Sequence, residues 1–272
     1  MSTVTVDGVD WAMVERGTGH PLLLVHGFTG AAIAWAEHLD AFSATSRVIA
    51  PDLPGHGGTP VEPPERMTVE RTADDLARLL ATLGALPACV VGYSLGARIA
   101  LSLAIAHPGV VDRLLLESPS AGLGTAAERE DRRTEDEALA TAIERNGIDA
   151  FVDEWERLPV FASHDAMPPE RAARVRVMRR ANSAAGLAAS LRAAGQGSME
   201  PLFDRLADVR APTLVITGAF DERGRPRAER VSRGIPGARL AVVDDAGHTP
   251  HDEQPSAFRR LALDFLQEDR PA

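Results

Sequence analysis

Short, continuous runs of apolar residues alternate with helical patterns over most of the chain. Six such runs predict buried strands, at residues 22–25, 47–50, 88–91, 110–116, 213–217 and 239–243. They lack the polar–apolar alternation of half-exposed strands, and continuous apolar strands are typical of parallel sheets covered on both faces. Strands that alternate with helices favour the α/β class, in which a mostly parallel, twisted sheet lies between layers of helices.

The N-terminal segment predicts a hairpin. Residues 4–6 and 9–14 are the candidate strands, and Asp7-Gly8 between them favours a tight turn. Helices are predicted at 68–83, 95–106 and from about 256 to 266. The first of them carries one apolar stripe, since its leucines recur at helical spacing.

The alternation of strands and helices stops between about residues 119 and 206. That stretch contains helical segments without a convincing strand, and its charged run at 128–137 is typical of a solvated helix face. We therefore predict one core built from residues 1–118 and 207–272. Residues 119–206 are predicted to form a helical cap inserted into that core.

The charge of the chain excludes one broad class of function. Its 272 residues carry a formal charge of −10, and all 29 basic residues are arginines. An acidic surface argues against general nucleic-acid binding, which needs a basic footprint. A local group of arginines inside a pocket remains compatible with this charge.

The cysteine content and the terminus bear on location and cofactors. The single cysteine, Cys89, cannot form an internal disulfide and is expected to be a small buried residue of its strand. No signal-peptide pattern occurs at residues 1–8, and no apolar run approaches 18 residues. We expect a cytoplasmic monomer or homodimer without a membrane span. No spacing resembles a zinc site or a dinucleotide fingerprint, so neither a metal nor a cofactor is expected.

The pentapeptide Gly92-Tyr93-Ser94-Leu95-Gly96 matches the pattern G-x-S-x-G. It lies directly between a predicted strand and a predicted helix. This is the context of a nucleophile elbow, a strained turn that lifts a serine hydroxyl above the sheet. The flanking glycines permit such a tight turn. Ser94 is therefore the candidate nucleophile.

A serine hydroxyl needs a base, and His248 is the candidate. His248 follows the strand at 239–243, and Asp221 follows the strand at 213–217, where it could orient the imidazole. The order serine, aspartate, histidine is the chain order of triads in the α/β-hydrolase fold. Three other acidic residues lie near enough in sequence to compete with Asp221, namely Glu222, Asp244 and Asp245.

The segment His26-Gly27-Phe28 follows the strand at 22–25. Its position favours an oxyanion hole in which the backbone N–H of Phe28 acts together with that of Leu95. A plain tight turn is the alternative interpretation. His56, in the strand-end loop at 52–58, is expected to have a structural role.

Longer motifs extend these patterns over nearly the whole chain. They are His26-Gly27-Phe28-Thr29-Gly30 with Trp35, Asp52-Leu53-Pro54-Gly55-His56-Gly57, residues 91–98, residues 117–123, Glu128-Arg129 with Arg132, residues 155–163, Arg180 with Asn182, and Gly247-His248 with His251. In these segments the chain resembles a family within the α/β-hydrolase superfamily, the menaquinone-pathway synthases that make 2-succinyl-6-hydroxy-2,4-cyclohexadiene-1-carboxylate. It departs from that family at Ala219, at Arg223-Gly224 where a lysine and an aromatic residue are usual, and at Met199 and Phe203.

The resemblance implies a lyase whose triad abstracts a proton instead of hydrolysing an ester. It implies the loss of pyruvate from 2-succinyl-5-enolpyruvyl-6-hydroxy-3-cyclohexene-1-carboxylate, a small polyanionic substrate. By position, the substrate-binding residues would be Tyr93, Arg98, Arg132, Trp155 and Arg180. Guanidinium groups suit carboxylates because they stay charged and bind bidentately. Arg98 also lies one helical turn after Ser94, on the same face.

Two alternatives remain at the level of the sequence. A serine carboxylesterase, or a hydrolase of C–C bonds in aromatic breakdown, would use the same triad. A ligand receptor that retains the triad without turnover is the second alternative, and an intact triad with an oxyanion loop disfavours it. Dehalogenases and epoxide hydrolases use an aspartate nucleophile, which the serine in this elbow disfavours.

Overall fold

One eight-stranded sheet forms the centre of the computed structural model, which describes residues 1–268. The strands are β1 (Ser2–Val6), β2 (Val9–Arg16), β3 (His20–Val25), β4 (Ser46–Pro51), β5 (Ala88–Tyr93), β6 (Val111–Glu117), β7 (Thr213–Gly218) and β8 (Arg239–Val243). They lie in the order β1-β2-β4-β3-β5-β6-β7-β8. β1 and β2 form an antiparallel hairpin, β2 is antiparallel to β4, and the remaining neighbours are parallel. The predicted α/β architecture is therefore confirmed.

Helices cover both faces of this sheet. The α-helices are α1 (Ala36–Ser43), α2 (Val69–Thr82), α3 (Leu95–Ala106), α4 (Ala126–Trp155), α5 (Pro169–Arg180), α6 (Ala184–Ala194), α7 (Gly224–Gly234), α8 (Pro250–Glu253) and α9 (Pro255–Gln267). The sequence pattern identified α2, α3 and α9 but not the short helices α1 and α8. It also missed α7, which buries Ala228 and Val231 among arginines and so carries too few apolar positions for a stripe. No helix within residues 1–268 combines the length and apolar character needed to cross a bilayer.

Two hydrophobic clusters, one on each face, explain the continuous apolar strands. Leu23 and Val25 of β3 belong to the cluster that contains α2 and α3, whereas Leu22 and Leu24 belong to the cluster that contains α1 and α9. All four side chains are at most 1% exposed. Successive side chains of a strand point to opposite faces, so a strand covered on both sides needs an apolar residue at every position.

The segment between β6 and β7 contains only helical elements. α4, α5 and α6 lie there with a 3-10 segment at Pro159–Ala166, and α4 and α6 share a hydrophobic cluster of their own. α4 begins with a capping box between Thr125 and Glu128, and Gly147 (φ 82°) interrupts its helical geometry. These helices lie above the edge where the parallel strands end, so they bound the space over the strand-end loops.

Candidate active site

Ser94 stands at the sharp turn between β5 and α3. Its backbone angles are φ 50° and ψ −105°, which an L-residue adopts only at a cost of about 1–3 kcal/mol. The strand and the helix approach so closely here that a methyl group on Gly92 would collide with the backbone of Gly96, and one on Gly96 with the backbone of Val25. The surrounding packing therefore holds the serine hydroxyl out above the sheet, as the G-x-S-x-G pattern predicts.

His248 lies between the side chains of Ser94 and Asp221. Its Nε2 is 3.1 Å from the Ser94 Oγ, and its Nδ1 is 2.7 Å from the Asp221 Oδ2. A carboxylate accepts only, so Nδ1–H donates to Asp221 and Nε2 is left to accept the serine proton. The structure thus brings together three residues that are far apart in sequence, in an arrangement able to generate a nucleophilic or basic oxygen.

Asp221 is better placed for this role than its neighbours in sequence. It is 4% exposed, whereas Glu222, Asp244 and Asp245 are exposed at the surface. Its Oδ1 accepts the backbone N–H of Gly224 at 2.8 Å. Burial alone would raise the pKa of Asp221, but the hydrogen bond and charge of His248, the N–H of Gly224 and the charge of Arg227 together outweigh it, so the carboxyl has a pKa below its ordinary value. The carboxylate is therefore charged at neutral pH and can stabilise an imidazolium.

The loop that carries His248 is clamped by a buried carboxylate, Glu253 of α8. Glu253 accepts the backbone N–H of Gly247 at 2.7 Å and that of Thr249 at 2.9 Å, one residue on either side of His248. Ser118, after β6, adds a hydroxyl bond to the His248 carbonyl at 2.9 Å. These bonds fix the loop from two directions. Sequence analysis missed both residues, because neither contact follows from a local pattern.

Behind the triad, His251 forms a buried ion pair with Glu117. His251 Nδ1 lies 2.9 Å from a Glu117 carboxylate oxygen, and both side chains are at most 2% exposed. Burial alone would lower the pKa of His251, but the charges of Glu117 and Asp252 raise it to about 9. The imidazolium packs against Tyr93, with ring centroids 4.7 Å apart. Tyr93 remains a neutral hydrogen-bonding group, because burial and the nearby Glu117 raise the pKa of its hydroxyl.

The backbone N–H groups of Phe28 and Leu95 are available at the serine. Both residues line the pocket that contains Ser94, and within residues 1–268 neither N–H donates to another protein group. His26 holds the Phe28 loop in place, since its Nε2 accepts the N–H of Leu53 at 2.9 Å. The arrangement is compatible with the predicted oxyanion hole, which needs unpaired donors beside the reacting carbon.

A single pocket extends from Ser94 and His248 towards the cap. It encloses about 950 Å³ of space, including open solvent at its mouth. Its walls come from the end of β5, from α3, from the loop after β6, from the helical segment between β6 and β7, and from α7. Among the lining residues are Tyr93, Arg98, Ser120, Arg132, Trp155, Phe161, Gln196 and Arg227. Its polar groups include the indole N–H of Trp155, which has no partner in residues 1–268. A ligand with several acceptor groups would satisfy these donors.

Arg98 and Arg132 give the pocket its positive charge. Arg98 is 7% exposed and donates to the Ala194 carbonyl at 2.8 Å, but it forms no ion pair within residues 1–268. Burial, and then the charge of Arg132, lower its pKa to about 10, so it still carries its proton at neutral pH. Arg132 pairs with Asp136 at 2.8 Å. A desolvated cation without a carboxylate partner favours an anionic ligand.

Arg180 lies outside this pocket, in contrast to the prediction from the resemblance. It is exposed and pairs with Asp153 of α4 at 2.5 Å. The preceding residue, Arg179, is instead buried, and its guanidinium lies 4.7 Å from the ring centroid of Phe161, which lines the pocket. Neighbouring residues of a helix point about 100° apart, so a match displaced by one position selects the wrong face. Arg227 is a further pocket residue that the sequence did not indicate.

Three buried histidines are neutral in the folded state, two in strand-end loops and one in α1. They are His26, His38 and His56, each at most 1% exposed. Burial lowers the pKa of His26 to about 4 and those of His38 and His56 to about 3. Above pH 6.5 these groups are neutral in both the folded and the unfolded chain. Below pH 6.5 the unfolded chain binds protons at these histidines and the folded chain does not. The free energy of unfolding therefore falls as the pH drops towards the folded-state pKa values of about 4 and 3.

We therefore expect the free energy of unfolding to fall steeply in acid. Each of the three histidines lowers the free energy of unfolding by about 1.4 kcal/mol per pH unit, so together they lower it by about 4 kcal/mol per pH unit. A typical domain has a free energy of unfolding of only about 5–15 kcal/mol. Urea unfolding followed by circular dichroism should show acid unfolding at about pH 4–5. His38→Gln, which keeps a donor without titrating, should reduce the acid slope by about one third. Constant stability between pH 6.5 and 4.5 would contradict this assignment.

Comparison with known proteins places this geometry in context. A family model described as alpha/beta hydrolase fold matches residues 20–255. A protein of Bacillus subtilis (strain 168), provisionally named 2-succinyl-6-hydroxy-2,4-cyclohexadiene-1-carboxylate synthase, is 37% identical over 98% of this chain and 99% of its own length. The synthase of that name from Klebsiella pneumoniae (strain 342) is 33% identical over 90% of this chain and 94% of its own.

Solved structures agree with the sequence relatives. MenH from S. aureus superimposes with a TM-score of 0.90 at 32% identity, covering 95% of this chain and 98% of that one. A thermophilic esterase from Thermogutta terrifontis superimposes with a TM-score of 0.85 at 30% identity, covering 98% of this chain and 96% of that one. The same architecture is thus found in proteins named for different reactions, so the pocket must distinguish between them.

Proposed function

Since the chain belongs to the 2-succinyl-6-hydroxy-2,4-cyclohexadiene-1-carboxylate synthase family within the α/β hydrolase fold, we propose that it eliminates pyruvate from 2-succinyl-5-enolpyruvyl-6-hydroxy-3-cyclohexene-1-carboxylate. The observation that carries this proposal is the pocket, in which a Ser94–His248–Asp221 constellation opens onto arginines. The reaction would belong to menaquinone biosynthesis. Its substrate carries three carboxylates and does not cross membranes unaided, which favours a cytoplasmic enzyme.

The proposed chemistry is a proton abstraction followed by loss of a leaving group. His248 takes the proton of Ser94, and the serine oxygen removes the hydrogen from ring carbon 2, which the adjoining succinyl carbonyl acidifies. Electrons move to form the double bonds at ring positions 2 and 4, and the bond from ring carbon 5 to the enolpyruvyl oxygen breaks. Enolpyruvate leaves, takes up a proton at carbon and becomes pyruvate. No water is consumed and no metal is required.

The oxyanion donors and the arginines serve different parts of this substrate. The backbone N–H groups of Phe28 and Leu95 would stabilise the enolate oxygen that develops on the succinyl carbonyl. Arg98 and Arg132 would bind carboxylates, and a cation near the enolpyruvyl group would stabilise the charge that builds up as it leaves. Asp221 would hold His248 in the required tautomer and stabilise its charged form.

A serine hydrolase is the second candidate function. The esterase from Thermogutta terrifontis resembles this chain at 30% identity with a TM-score of 0.85, and it favours this alternative. A hydrolase would use the same groups differently: Ser94 would attack a carbonyl carbon, and water would later release the acyl group. The arginines favour elimination, because a neutral ester gains little from desolvated cations.

The substrate assay separates the two functions. We expect release of pyruvate from the enolpyruvyl substrate, followed through a coupled lactate dehydrogenase, with no oxygen from labelled water in the cyclohexadiene product. Simple aryl acetates should react with a kcat/KM lower by about 10³-fold or more, equivalent to about 4 kcal/mol of transition-state stabilisation. Fast cleavage of aryl esters without detectable pyruvate would reverse this ranking in favour of the hydrolase.

A further inference from the structure

A third arginine, Arg227 of α7, stands at the mouth of the pocket. It lines the pocket above Ser94 and also an adjoining outer cavity. We define the outer cavity by the loop at 120–125, which leads into α4, together with Glu128, Phe203, Pro226, Arg227 and Arg230. Ser120 lines both spaces as well. Arg227 therefore lies where a ligand passes from solvent into the pocket.

The guanidinium of Arg227 is unpaired within the part of the chain that the structure describes. It forms no ion pair or hydrogen bond there, although other arginines of α7 do. Arg225, two residues earlier on the same helix, pairs with Glu229 at 3.2 Å. Arg227 is thus left available at the pocket mouth, whereas Arg225 is paired on the surface.

The charges that face Arg227 explain why a bound anion would be favourable there. Arg132 of α4 and Arg223 carry the same charge, whereas Asp221 and Glu128 carry the opposite one. Asp221 already holds His248, and Glu128 already caps α4. Burial of part of the side chain, and then the like charge of Arg132, lower the pKa of Arg227. A bound anion would relieve the repulsion between the two guanidinium groups.

The overall charge of the protein makes this local reversal of sign necessary. A chain of formal charge −10 repels a polyanion in solution, and the repulsion lowers the rate of encounter. A cationic entrance lined by low-dielectric walls focuses the field and raises the local concentration of anions. Arg98 lies too deep in the pocket to act in this way, and Arg132 is already paired with Asp136.

We propose that Arg227 determines specificity for polycarboxylic substrates. Its guanidinium would bind the substrate carboxylate that lies farthest from Ser94, at the mouth of the pocket. This proposal rests on the proposed elimination only for the identity of the substrate. The site itself would bind a carboxylate group of any small tricarboxylate of suitable length. Arg227 would contribute to binding in the ground state and the transition state equally, so its removal should raise KM and leave kcat nearly unchanged.

The kinetic test compares Arg227→Gln with Arg225→Gln, which removes the same charge from the same helix away from both cavities. For Arg227→Gln we expect a KM for pyruvate release about tenfold higher, with kcat within about twofold of the original. The dependence of kcat/KM on sodium chloride concentration should also become flatter. Arg225→Gln should match the unmodified enzyme in all three respects. Arg227→Lys should recover most of the salt dependence but only part of the KM, because lysine lacks the bidentate fork.

A binding measurement separates this inference from the proposed function. Isothermal titration with tricarballylate, a tricarboxylate without a reactive bond, should give an affinity about tenfold weaker for Arg227→Gln than for Arg225→Gln. If the protein releases no pyruvate but shows this difference, the proposed function fails and the role of Arg227 stands. If tricarballylate does not bind, or if both variants bind it and turn over alike, the role of Arg227 is refuted. Unchanged thermal melting of Arg227→Gln serves as the check on folding.

Discussion

Replacement of Ser94 by alanine is expected to lower kcat for pyruvate release by at least about 10³-fold. The hydroxyl oxygen of Ser94 lies 3.1 Å from Nε2 of His248 and opens onto the pocket. His248→Ala should cost a similar factor, because without the imidazole the serine proton has no acceptor. The double variant should be little worse than either single one, since residues that act as one unit do not have additive effects.

The controls for this experiment depend on the strained backbone conformation at Ser94. Alanine retains the Cβ and the strained φ of 50°, so the folded state of Ser94→Ala should be almost unchanged. Ser94→Gly removes the steric penalty and should raise the melting temperature while activity stays low. Turnover by Ser94→Ala close to that of the unmodified enzyme would show that the reacting base is another group.

Arg98→Met is expected to lower kcat/KM on the polyanionic substrate by about 30- to 1000-fold, equivalent to about 2–4 kcal/mol. Arg98 lies on the first turn of α3 and is 7% exposed. Inside the pocket a charge-assisted hydrogen bond is not screened by bulk water, so its loss leaves a substrate carboxylate desolvated and unpaired. Short neutral esters carry no such group, and any slow cleavage of aryl acetates should be unaffected.

Arg180→Met is the matched control for Arg98→Met. It removes the same charge from a residue that the structure places outside the pocket, where its ion pair with Asp153 is exposed and contributes little to stability. Arg180→Met should change kcat/KM by less than about twofold. Arg180→Met should melt close to the unmodified protein, whereas Arg98→Met should melt slightly lower, because it loses the buried hydrogen bond to the Ala194 carbonyl. Equal losses in the two variants would mean that the pocket is not the substrate site.

The strands and the serine turn could be predicted from the sequence because each has a local cause. Six apolar runs correspond to β3–β8. In the central strands the cause is burial on both faces, which requires an apolar residue at every position, whereas β8 lies at the sheet edge and is mostly exposed. The elbow followed from glycines on both sides of Ser94, where α3 approaches β5 and β3 too closely for any larger residue. His248 and Asp221 could be placed at strand ends, because parallel strands bring their carboxyl ends to one edge.

Only the tertiary structure decided which side chains meet at that edge. Among four nearby acids, Asp221 is the one that burial and the bond to His248 select, and Glu253 clamps the same loop from α8. Arg180 matched a motif, yet the rotation of α5 turns Arg179 inward and leaves Arg180 at the surface. Arg227 enters the pocket from a helix that showed no apolar stripe. Local periodicity specifies the helices and strands, whereas a pocket depends on distances between elements that are remote in sequence. Because neighbouring residues of a helix point about 100° apart, a shift of one residue changes which side chains line the pocket.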